Sequence, residues 1–375
     1  MALALKVGAA LISGSDLPDR DDLVRRFEDT CVDLVAVGTI GDQVPLVAEN
    51  RALVKLGLAR LARTSHLGLQ SVLAQDGIVG GPVPGEWVSF NLVPRLNAAG
   101  RISDPAQALA LLLCRDPDEA RSLARNLTAL NEKRKRLVDQ LWRQTLEDSA
   151  RWRESLFPVA VLASPYKGLM GLIATRMRDL LGRPAAALAS DGARAVGSAR
   201  SVEGVHVTRA LEAGSAHLDQ FGGHEQAAGL SLPLDRLDDL TGALEAHMRK
   251  TFPGGLSKPR LSIAGEVATG ELLEAVPLAL ESLAPFGEGN PRPLFLMRRV
   301  KVSGLARVGR GGQHVRLTCP GLPSAVETLG FGLAQPAQAA LERSAALDLA
   351  FSVEQRTAGG RATIMMRIED LKVPG

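Results

Sequence analysis

The sequence has few cysteines and few aromatic residues. Its 3 cysteines, Cys31, Cys114 and Cys319, lie far apart and form no Cys-x-x-Cys pair, so neither a disulfide framework nor a zinc site of the usual spacing is expected. Aromatic residues make up 3% of the 375 residues, so the cores have to be built from Leu, Val and Ala. This use of cysteine favours a reducing, cytoplasmic compartment.

Long apolar runs and a strong charge of one sign are also missing. No run approaches the roughly 18 apolar residues that cross a bilayer. The apolar start, residues 1–14, has no basic region or cleavage site of a signal peptide, so no membrane partner is expected. The net charge of +3 does not by itself indicate nucleic acid. With 46% hydrophobic and 23% charged residues, the composition is that of a folded protein of two or three domains.

The first 115 residues are expected to form mainly helices. Residues 1–14 begin in the middle of a helical pattern, which predicts a core helix and further residues upstream of it. Residues 23–31 predict a helix, and residues 32–37 (VDLVAV) predict a buried strand that ends in the turn GTIGD. Further helices are expected at 49–63, 66–75 and 103–114.

Three more regions follow. Residues 116–150 predict a long helix that connects two domains or belongs to a bundle, with Leu123, Leu130 and Leu137 repeating every seven residues. Strands then alternate with helices, which is typical of a compact α/β domain. Beyond the linker TFPGGLSKP, short strands predict a small barrel, for which an OB-fold is the natural candidate. The expected boundaries are 1–115, 116–150, 151–252 and 258–375.

One carboxylate follows the predicted buried strand. It is Asp42, in the segment VGTIGDQVPLVAENR of residues 37–51. Ligand sites gather at strand ends in α/β sheets, and a carboxylate there can bind Mg²⁺ or Mn²⁺ through oxygen. The alternative is that Asp42 only caps the turn that follows.

Two segments bring arginine together with small residues. They are RLNAAGRISD, residues 95–104, and GSARS, residues 197–201. Arginine can grip a phosphate with two parallel hydrogen bonds, and small residues let a phosphate approach the backbone closely. The alternatives are a solvated loop and a strand with one exposed arginine. The candidate phosphate donors are Arg95, Arg101, Ser198, Arg200 and Ser201.

A Gly-Gly-His sequence stands in FGGHEQAAGL, residues 221–230. Gly222 and Gly223 permit a positive φ or the close approach of a ligand. His224 would then stand on a turn that is followed by small residues. The alternative is a structural histidine.

The segment from Arg292 to Leu317 contains basic residues and no acidic one. On barrel strands and a glycine-rich loop, such a run predicts a basic stripe that follows a nucleic-acid backbone; the alternative is a solvated positive face. Phe295 and His314 are the only candidates for base stacking there. The candidate nucleic-acid-binding residues are Arg298, Arg299, Lys301, Arg307, Arg310, His314 and Arg316.

In this order along the chain, GTIGDQVPL, RLNAAGR, GGHEQAAG and PFGEGNPRPLF resemble the RecJ family of the DHH superfamily of phosphodiesterases. Residues 33–51 resemble the fourth metal motif of the family, and residues 90–101 resemble the segment that closes its DHH domain. Residues 195–201 and 221–229 resemble the substrate-binding part of its DHHA1 domain. The resemblance implies an α/β chain with a partial DHH domain, a long connecting helix, a DHHA1 domain and a C-terminal OB-fold β-barrel.

The resemblance also implies an activity, that of a single-stranded-DNA-specific 5′→3′ exonuclease in DNA repair and recombination. Two divalent metals, Mn²⁺ or Mg²⁺, would be held by Asp and His residues, and single-stranded DNA would be the partner. By matching positions, Asp42 would be a metal ligand and His224 a catalytic residue next to the scissile phosphate. The substrate-binding residues would be Arg95, Asn97, Arg101, Ser198, Arg200, Ser201, Gly222, Gly223 and His224.

The sequence departs from the family pattern in two places. The first three metal motifs, including Asp-His-His, are missing, so we expect a chain without the N-terminal part of the DHH domain and with an incomplete metal site. A separate chain that carries these motifs is then an expected partner. Tyr166, in SPYKGLMG, replaces a histidine of the family. The alternatives are a non-catalytic relative that binds single-stranded DNA or a partner protein, and a DHH phosphodiesterase for short oligonucleotides.

Overall fold

The computed structural model describes residues 1–78, 80–81, 83–147, 149–257, 260–272, 275–309, 311–358 and 361–375, with the backbone alone at 356–358 and 361–362. The chain divides into two compact units. Unit 1 comprises Met1–Val24, Leu34–Gly57 and Arg260–Gly375, and unit 2 comprises Arg25–Asp33 and Leu58–Pro259. None of the described helices has the length and apolar character needed to span a membrane.

In the N-terminal third of the chain, the regular elements among the described residues are all helices. Residues 32–37, predicted as a buried strand, lie inside a helix instead, so that prediction is wrong. In the helix Val35, Ala36 and Val37 are all buried, and a helix buried on most of its faces shows the same continuous apolar run as a buried strand. The other predicted helices are confirmed as helices, but α1 is not the expected core helix, because it buries only Leu5 and exposes Leu3, Val7 and Leu11. The helices are α1 (Ala2–Ser13), α2 (Arg20–Gly41), α3 (Ala48–Leu61), α4 (Leu67–Gln75), α5 (Gly85–Trp87), α6 (Val93–Ile102) and α7 (Ala106–Leu113).

The predicted long helix is confirmed as α8 (Pro117–Glu147), a single helix of 31 residues in unit 2. It begins where the Asp116 carboxylate accepts hydrogen bonds from the backbone N–H groups of Asp118 and Glu119, at 2.9 and 2.8 Å, as an N-cap residue does. Its buried residues recur every three or four positions, which gives one stripe along the helix. They are Ala120, Ala124, Leu127, Asn131, Val138, Leu141 and Thr145.

Unit 2 contains the predicted α/β domain, built on a five-stranded sheet in the order β1-β2-β3-β5-β4. The pair β1–β2 is parallel and the other pairs are antiparallel. Helices α8 and α9 share a core with one face of β1 and β2, and α10 and α11 share a core with the opposite face. The elements are β1 (Val159–Ala163), α9 (Met170–Leu181), β2 (Ala185–Ser190), β3 (Arg194–Arg200), α10 (Val207–Ala213), β4 (Gln220–Gly223), β5 (Ala227–Pro233) and α11 (Leu237–Thr251).

Unit 1 contains a seven-stranded sheet in the order β6-β7-β11-β12-β10-β9-β8. Its apolar face buries Phe351, Val315 and Met366, among others, together with residues of two helices. The elements are β6 (Ile263–Glu266), α12 (Ala275–Leu283), β7 (Leu294–Lys301), β8 (Gly304–Val308), β9 (His314–Thr318), β10 (Val326–Gly330), α13 (Ala334–Leu341), β11 (Ala346–Ala358) and β12 (Arg361–Lys372).

This second sheet is not closed into the expected barrel. Among the described strands, no ladder joins the edge strands β6 and β8. Only Val302 and Ser303 separate β7 from β8, so the sheet has to curl for the chain to connect them. Helix α12 buries Val276 and Leu280 in the same core, and α13 buries three alanines there. The apolar face is therefore covered by helices without closure of the strands.

Candidate nucleic-acid interface

Two glycines at the entry to α9 make room for two arginines of unit 2. A Cβ atom on Gly168 would lie 2.6 Å from the carbonyl oxygen of Arg101. A Cβ atom on Gly171 would lie 2.6 Å from Nη2 of Arg200 and 3.6 Å from Oγ of Ser198. The short segment between the two glycines thus contacts α6 through Arg101 and β3 through Ser198 and Arg200. The structure brings together residues from two of the predicted arginine motifs.

Neither of these arginines has a carboxylate partner among the described side chains. Nη1 of Arg101 donates to the carbonyl oxygen of Gly168 at 3.1 Å, and Nη1 of Arg200 donates to that of Ala199 at 2.9 Å. Burial lowers the pKa of both arginines, and the neighbouring charge of Arg101 lowers the pKa of Arg200 further. Guanidinium groups stay protonated in proteins, so two positive charges repel each other here. A bound anion would relieve that repulsion.

Next to Ser198, one face of the sheet is lined by glycines and therefore carries no side chains. Ser198 of β3 pairs with Gly229 of β5, and Gly229 pairs with Gly222 of β4, so the three lie in one row on the same face of the sheet. On the other side of Ser198 the row continues through Ala187 to Ala160, and both alanines are buried in the core that α8 and α9 share. Gly222 and Gly229 are exposed. We call these two residues the glycine shelf; a sugar-phosphate backbone can approach it closely.

The predicted Gly-Gly-His sequence lies at the end of this shelf. Gly223 has φ 154°, and a Cβ atom there would lie 2.3 Å from the carbonyl oxygen of Ala227, so the turn requires glycine. The N–H of His224 donates to that same oxygen at 2.8 Å, while Thr208 Oγ1 donates to the His224 carbonyl at 2.9 Å. The backbone of His224 is fixed and its side chain is exposed. Its catalytic role stays a prediction.

Three other predicted substrate residues have different surroundings. Ser201 is 1% exposed, and its Oγ donates to the carbonyl oxygen of Val205 at 2.5 Å. Nη2 of Arg95 donates to both carboxylate oxygens of Asp76, at 2.6 and 2.9 Å. Asn97 is exposed on α6. The contacts of Ser201 and Arg95 are those of structural groups, and the substrate-binding roles of all three residues stay predictions.

Asp42 follows a helix rather than the expected strand end. It is the exposed residue after the last turn of α2 in unit 1. The segment that follows it contacts the predicted PFGEGNPRPLF motif, since the N–H of Leu46 donates to the carbonyl oxygen of Glu288 at 2.6 Å. Within the described part of the chain, no three His, Cys, Asp or Glu side chains are grouped to hold a metal. These residues alone do not fit a metal site, and the ligand role of Asp42 stays a prediction.

The basic run of residues 292–317 is distributed over distant positions in the strand order. Arg298, Arg299 and Lys301 belong to β7, whereas Arg307 and Arg316 belong to β8 and β9, and three other strands separate the two groups in the sheet. Arg298 also forms an ion pair with Glu266 at 2.7 Å, which raises its pKa. Arg299, Lys301, Arg307 and Arg316 are exposed. Arg310 lies outside the described residues.

One aromatic residue of unit 1 that the sequence analysis missed exposes its ring next to a cationic side chain. Phe331 is 47% exposed in the turn after β10. Its ring lies 5.2 Å from the ring of His314, centroid to centroid, and Cζ of Arg367 lies 5.3 Å from its centroid. Phe295, the other predicted stacking residue, packs instead against Phe351 at 6.2 Å. Bases of single strands stack on exposed rings next to cations. The signal in the sequence was an aromatic residue between two glycines, in GFG, where a turn keeps it exposed.

Comparison with known proteins agrees with this architecture. The family model of the DHHA1 domain matches residues 159–250, and that of the RecJ OB domain matches residues 263–370. The single-stranded-DNA-specific exonuclease RecJ of Bacillus subtilis (strain 168) is 31% identical over 312 residues, which are 82% of this chain and 40% of that relative. The chain belongs to the RecJ family. The resemblance stated from the sequence is thereby confirmed.

RecJ from Thermus thermophilus provides the structural comparison. Its structure in complex with Mg²⁺ matches with a TM-score of 0.78 and 30% identity, over 92% of this chain and 53% of that chain. Its structure in complex with Mn²⁺ matches with a TM-score of 0.79 and 30% identity, over 92% and 50%. This chain thus spans about half the length of the solved RecJ chains. Arg200 and the glycine shelf lie in the matched DHHA1 domain, and Phe331 lies in the matched RecJ OB domain.

Proposed function

We propose that this chain binds single-stranded DNA as part of a 5′→3′ exonuclease. The observation that carries the proposal is a pair of arginines, Arg101 and Arg200, next to an open glycine shelf. Neither arginine has a carboxylate partner among the described side chains. A phosphate would supply the missing negative charge, and the shelf has room for the backbone of a single strand. The names of the relatives, single-stranded-DNA-specific exonucleases, support the same function.

In this proposal, each group of residues has one task. Arg101, Ser198 and Arg200 hold a phosphate at the terminal or a neighbouring nucleotide, and Gly222 and Gly223 give the strand access to His224. The RecJ OB domain provides a second surface, where bases stack on Phe331 and the exposed basic residues lie near phosphates. We propose the same domain boundaries as those expected from the sequence, at 115, 150 and 252.

Hydrolysis is proposed for the whole enzyme, acting in DNA repair and recombination in the cytoplasm. Mg²⁺ or Mn²⁺ is the proposed cofactor, because RecJ of T. thermophilus was solved in complex with each. Asp42 is the ligand proposed on this chain. The described residues do not fit a metal site by themselves, so further ligands would come from residues outside the described set or from a separate polypeptide.

Binding is tested first, with the 375-residue chain and a fluorescent oligonucleotide. We expect the dissociation constant for a 5′-phosphorylated single strand to be lower than that for the matching duplex and to rise with salt. Arg200→Met should weaken binding by roughly 10-fold or more, the value of a hydrogen bond to a charged group. Arg209→Met is the matched control, since Arg209 is exposed on α10, which packs on the opposite face of the sheet. Equal effects of the two changes would contradict the proposal.

Hydrolysis is tested with the same oligonucleotide and added Mn²⁺. Because the described residues do not fit a metal site by themselves, we expect this chain to bind the strand but to release mononucleotides slowly. Rapid release from the 5′ end by this chain alone would contradict the incomplete metal site. No release even after a polypeptide with the missing ligands is added would contradict hydrolysis by the whole enzyme.

A further inference from the structure

A third arginine lies on the buried stripe of α8. Arg134 stands three residues after the buried Asn131 and four before the buried Val138, so it occupies a position where an amphipathic helix normally carries an apolar residue. Its side chain is partly buried. Its Nε is fully buried and has no hydrogen-bond partner among the described residues. Leaving such a group unsatisfied destabilises the fold, so a buried group of this kind calls for an explanation, and a functional role is one.

The carboxylates closest to Arg134 in the sequence already have partners. Glu132 accepts a hydrogen bond from Lys135 at 2.7 Å, and Asp139 accepts one from Arg176 at 2.8 Å. No ion pair of Arg134 occurs in the part of the chain that the structure describes. Its guanidinium therefore forms no ion pair there, although the charges of Glu132 and Asp139 act on it, and neither Arg101 nor Arg200 forms one among the described residues.

Arg101 links Arg134 with the residues proposed to hold a phosphate. Helix α6, which carries Arg101, packs against α8 and against the turn that contains Gly168. Burial lowers the pKa of Arg134 and the charges of Arg101 and Arg176 lower it further, whereas the charges of Glu132 and Asp139 raise it. The same charge acts on Arg200. The charge of Arg101 thus acts on the guanidinium from α8 and on the one from β3.

We propose that Arg134 is a further phosphate-binding residue, and that it forms one anion pocket with Arg101 and Arg200. This proposal rests on the proposed function. An internal phosphodiester carries one negative charge, whereas a terminal phosphate carries about −1.5 to −2 at pH 7. Three cations without ion-pair partners among the described residues match the charge of a terminal phosphate better than that of an internal phosphodiester. Arg134 therefore contributes to the selection of a phosphorylated strand end.

The experiment compares two oligonucleotides of one sequence, with a 5′-phosphate and with a 5′-hydroxyl. Arg134→Met should raise the dissociation constant for the phosphorylated strand by roughly 10-fold and change that for the hydroxyl strand much less. Arg136→Met is the matched control, since Arg136 is exposed on the same helix and the same charge is removed. Arg134→Lys, which keeps the charge and loses the guanidinium fork, should fall between wild type and Arg134→Met.

Thermal unfolding of the free protein separates a binding role from a structural one. If Arg134 serves the ligand, Arg134→Met should leave the unfolding temperature unchanged or raise it, because a buried group without a partner is removed. A lower unfolding temperature with an unchanged ratio of the two dissociation constants would overturn the inference. Should Arg134→Met not fold, the ratio is read from Arg134→Lys, and a wild-type ratio there likewise overturns it.

The two proposals fail in different ways. If wild type does not bind single-stranded DNA, the proposed function is wrong and this inference falls with it. If Arg200→Met weakens binding but Arg134→Met behaves like Arg136→Met, the proposed function stands and only the role of Arg134 is rejected.

Discussion

The guanidinium of Arg200 occupies the space beside Gly171 that a side chain would need, because a Cβ atom there would lie 2.6 Å from Nη2. The atom that would have to move is the far end of a flexible side chain. We therefore expect Gly171→Ala to displace the guanidinium while the fold is kept. Binding of 5′-phosphorylated single-stranded DNA should weaken by roughly 10-fold, the loss of a hydrogen bond to a charged group, as measured by fluorescence anisotropy.

Two other glycines provide the controls for this change. Gly242 is exposed on α11, and a Cβ atom there would meet no atom within 4 Å, so Gly242→Ala should leave binding unchanged and stabilise by up to about 1 kcal/mol. At Gly197 a Cβ atom would lie 2.0 Å from the carbonyl oxygen of Ala187, so Gly197→Ala should disrupt the sheet itself. Wild-type binding by a folded Gly171→Ala variant would rule out Arg200 as a phosphate-binding residue.

A separate prediction concerns the glycine shelf. A Cβ atom on Gly222 would meet no atom within 4 Å, and valine is well tolerated in strands. Gly222→Val should therefore fold normally and still reduce DNA binding, because its side chain would project into the space proposed for the strand. Gly222→Ala should have a smaller effect. Circular dichroism checks the fold and anisotropy the binding; a Gly222→Val variant with wild-type affinity would mean that the strand does not cross this face.

Local signals in the sequence predicted the turns and the glycine motifs of the DHHA1 domain, because only a few neighbouring atoms decide whether a position has to be glycine. Arg134 could not be found in this way. The heptad of Leu123, Leu130 and Leu137 predicted one face of α8, whereas the buried stripe contains Ala124, Asn131 and Val138, one residue further along. Only the helices that pack against α8 decide between these faces. The strand expected at 32–37 was wrong for a related reason, since burial on most faces of a helix removes the periodicity that distinguishes helix from strand.

A further prediction concerns the RecJ OB domain. Phe331 is exposed next to His314 and Arg367, and one base stacked on an aromatic ring contributes about 1–3 kcal/mol. Phe331→Ala should therefore weaken binding of single-stranded DNA by at least about 5-fold, with little effect on stability because the ring is 47% exposed. Phe90→Ala is the matched control, at a ring that is 69% exposed outside this domain. If both variants bind like wild type, bases do not stack at this surface.

The thiol of Cys319 gives a test of the core of the same domain. Cys319 is buried in the apolar core, and burial raises its pKa from 9.0 to about 11. Since the thiolate is the reactive form, the native thiol should react with iodoacetamide about 100-fold more slowly at pH 8 than an ordinary thiol, and faster as the pH approaches 11. Because folding raises this pKa, the neutral thiol contributes to the free energy of unfolding below about pH 9. That contribution is lost as the pH rises from about 9 to about 11. A chain with Cys31→Ser and Cys114→Ser isolates this thiol. Equal labelling rates with and without urea would show that Cys319 is not enclosed by the native core.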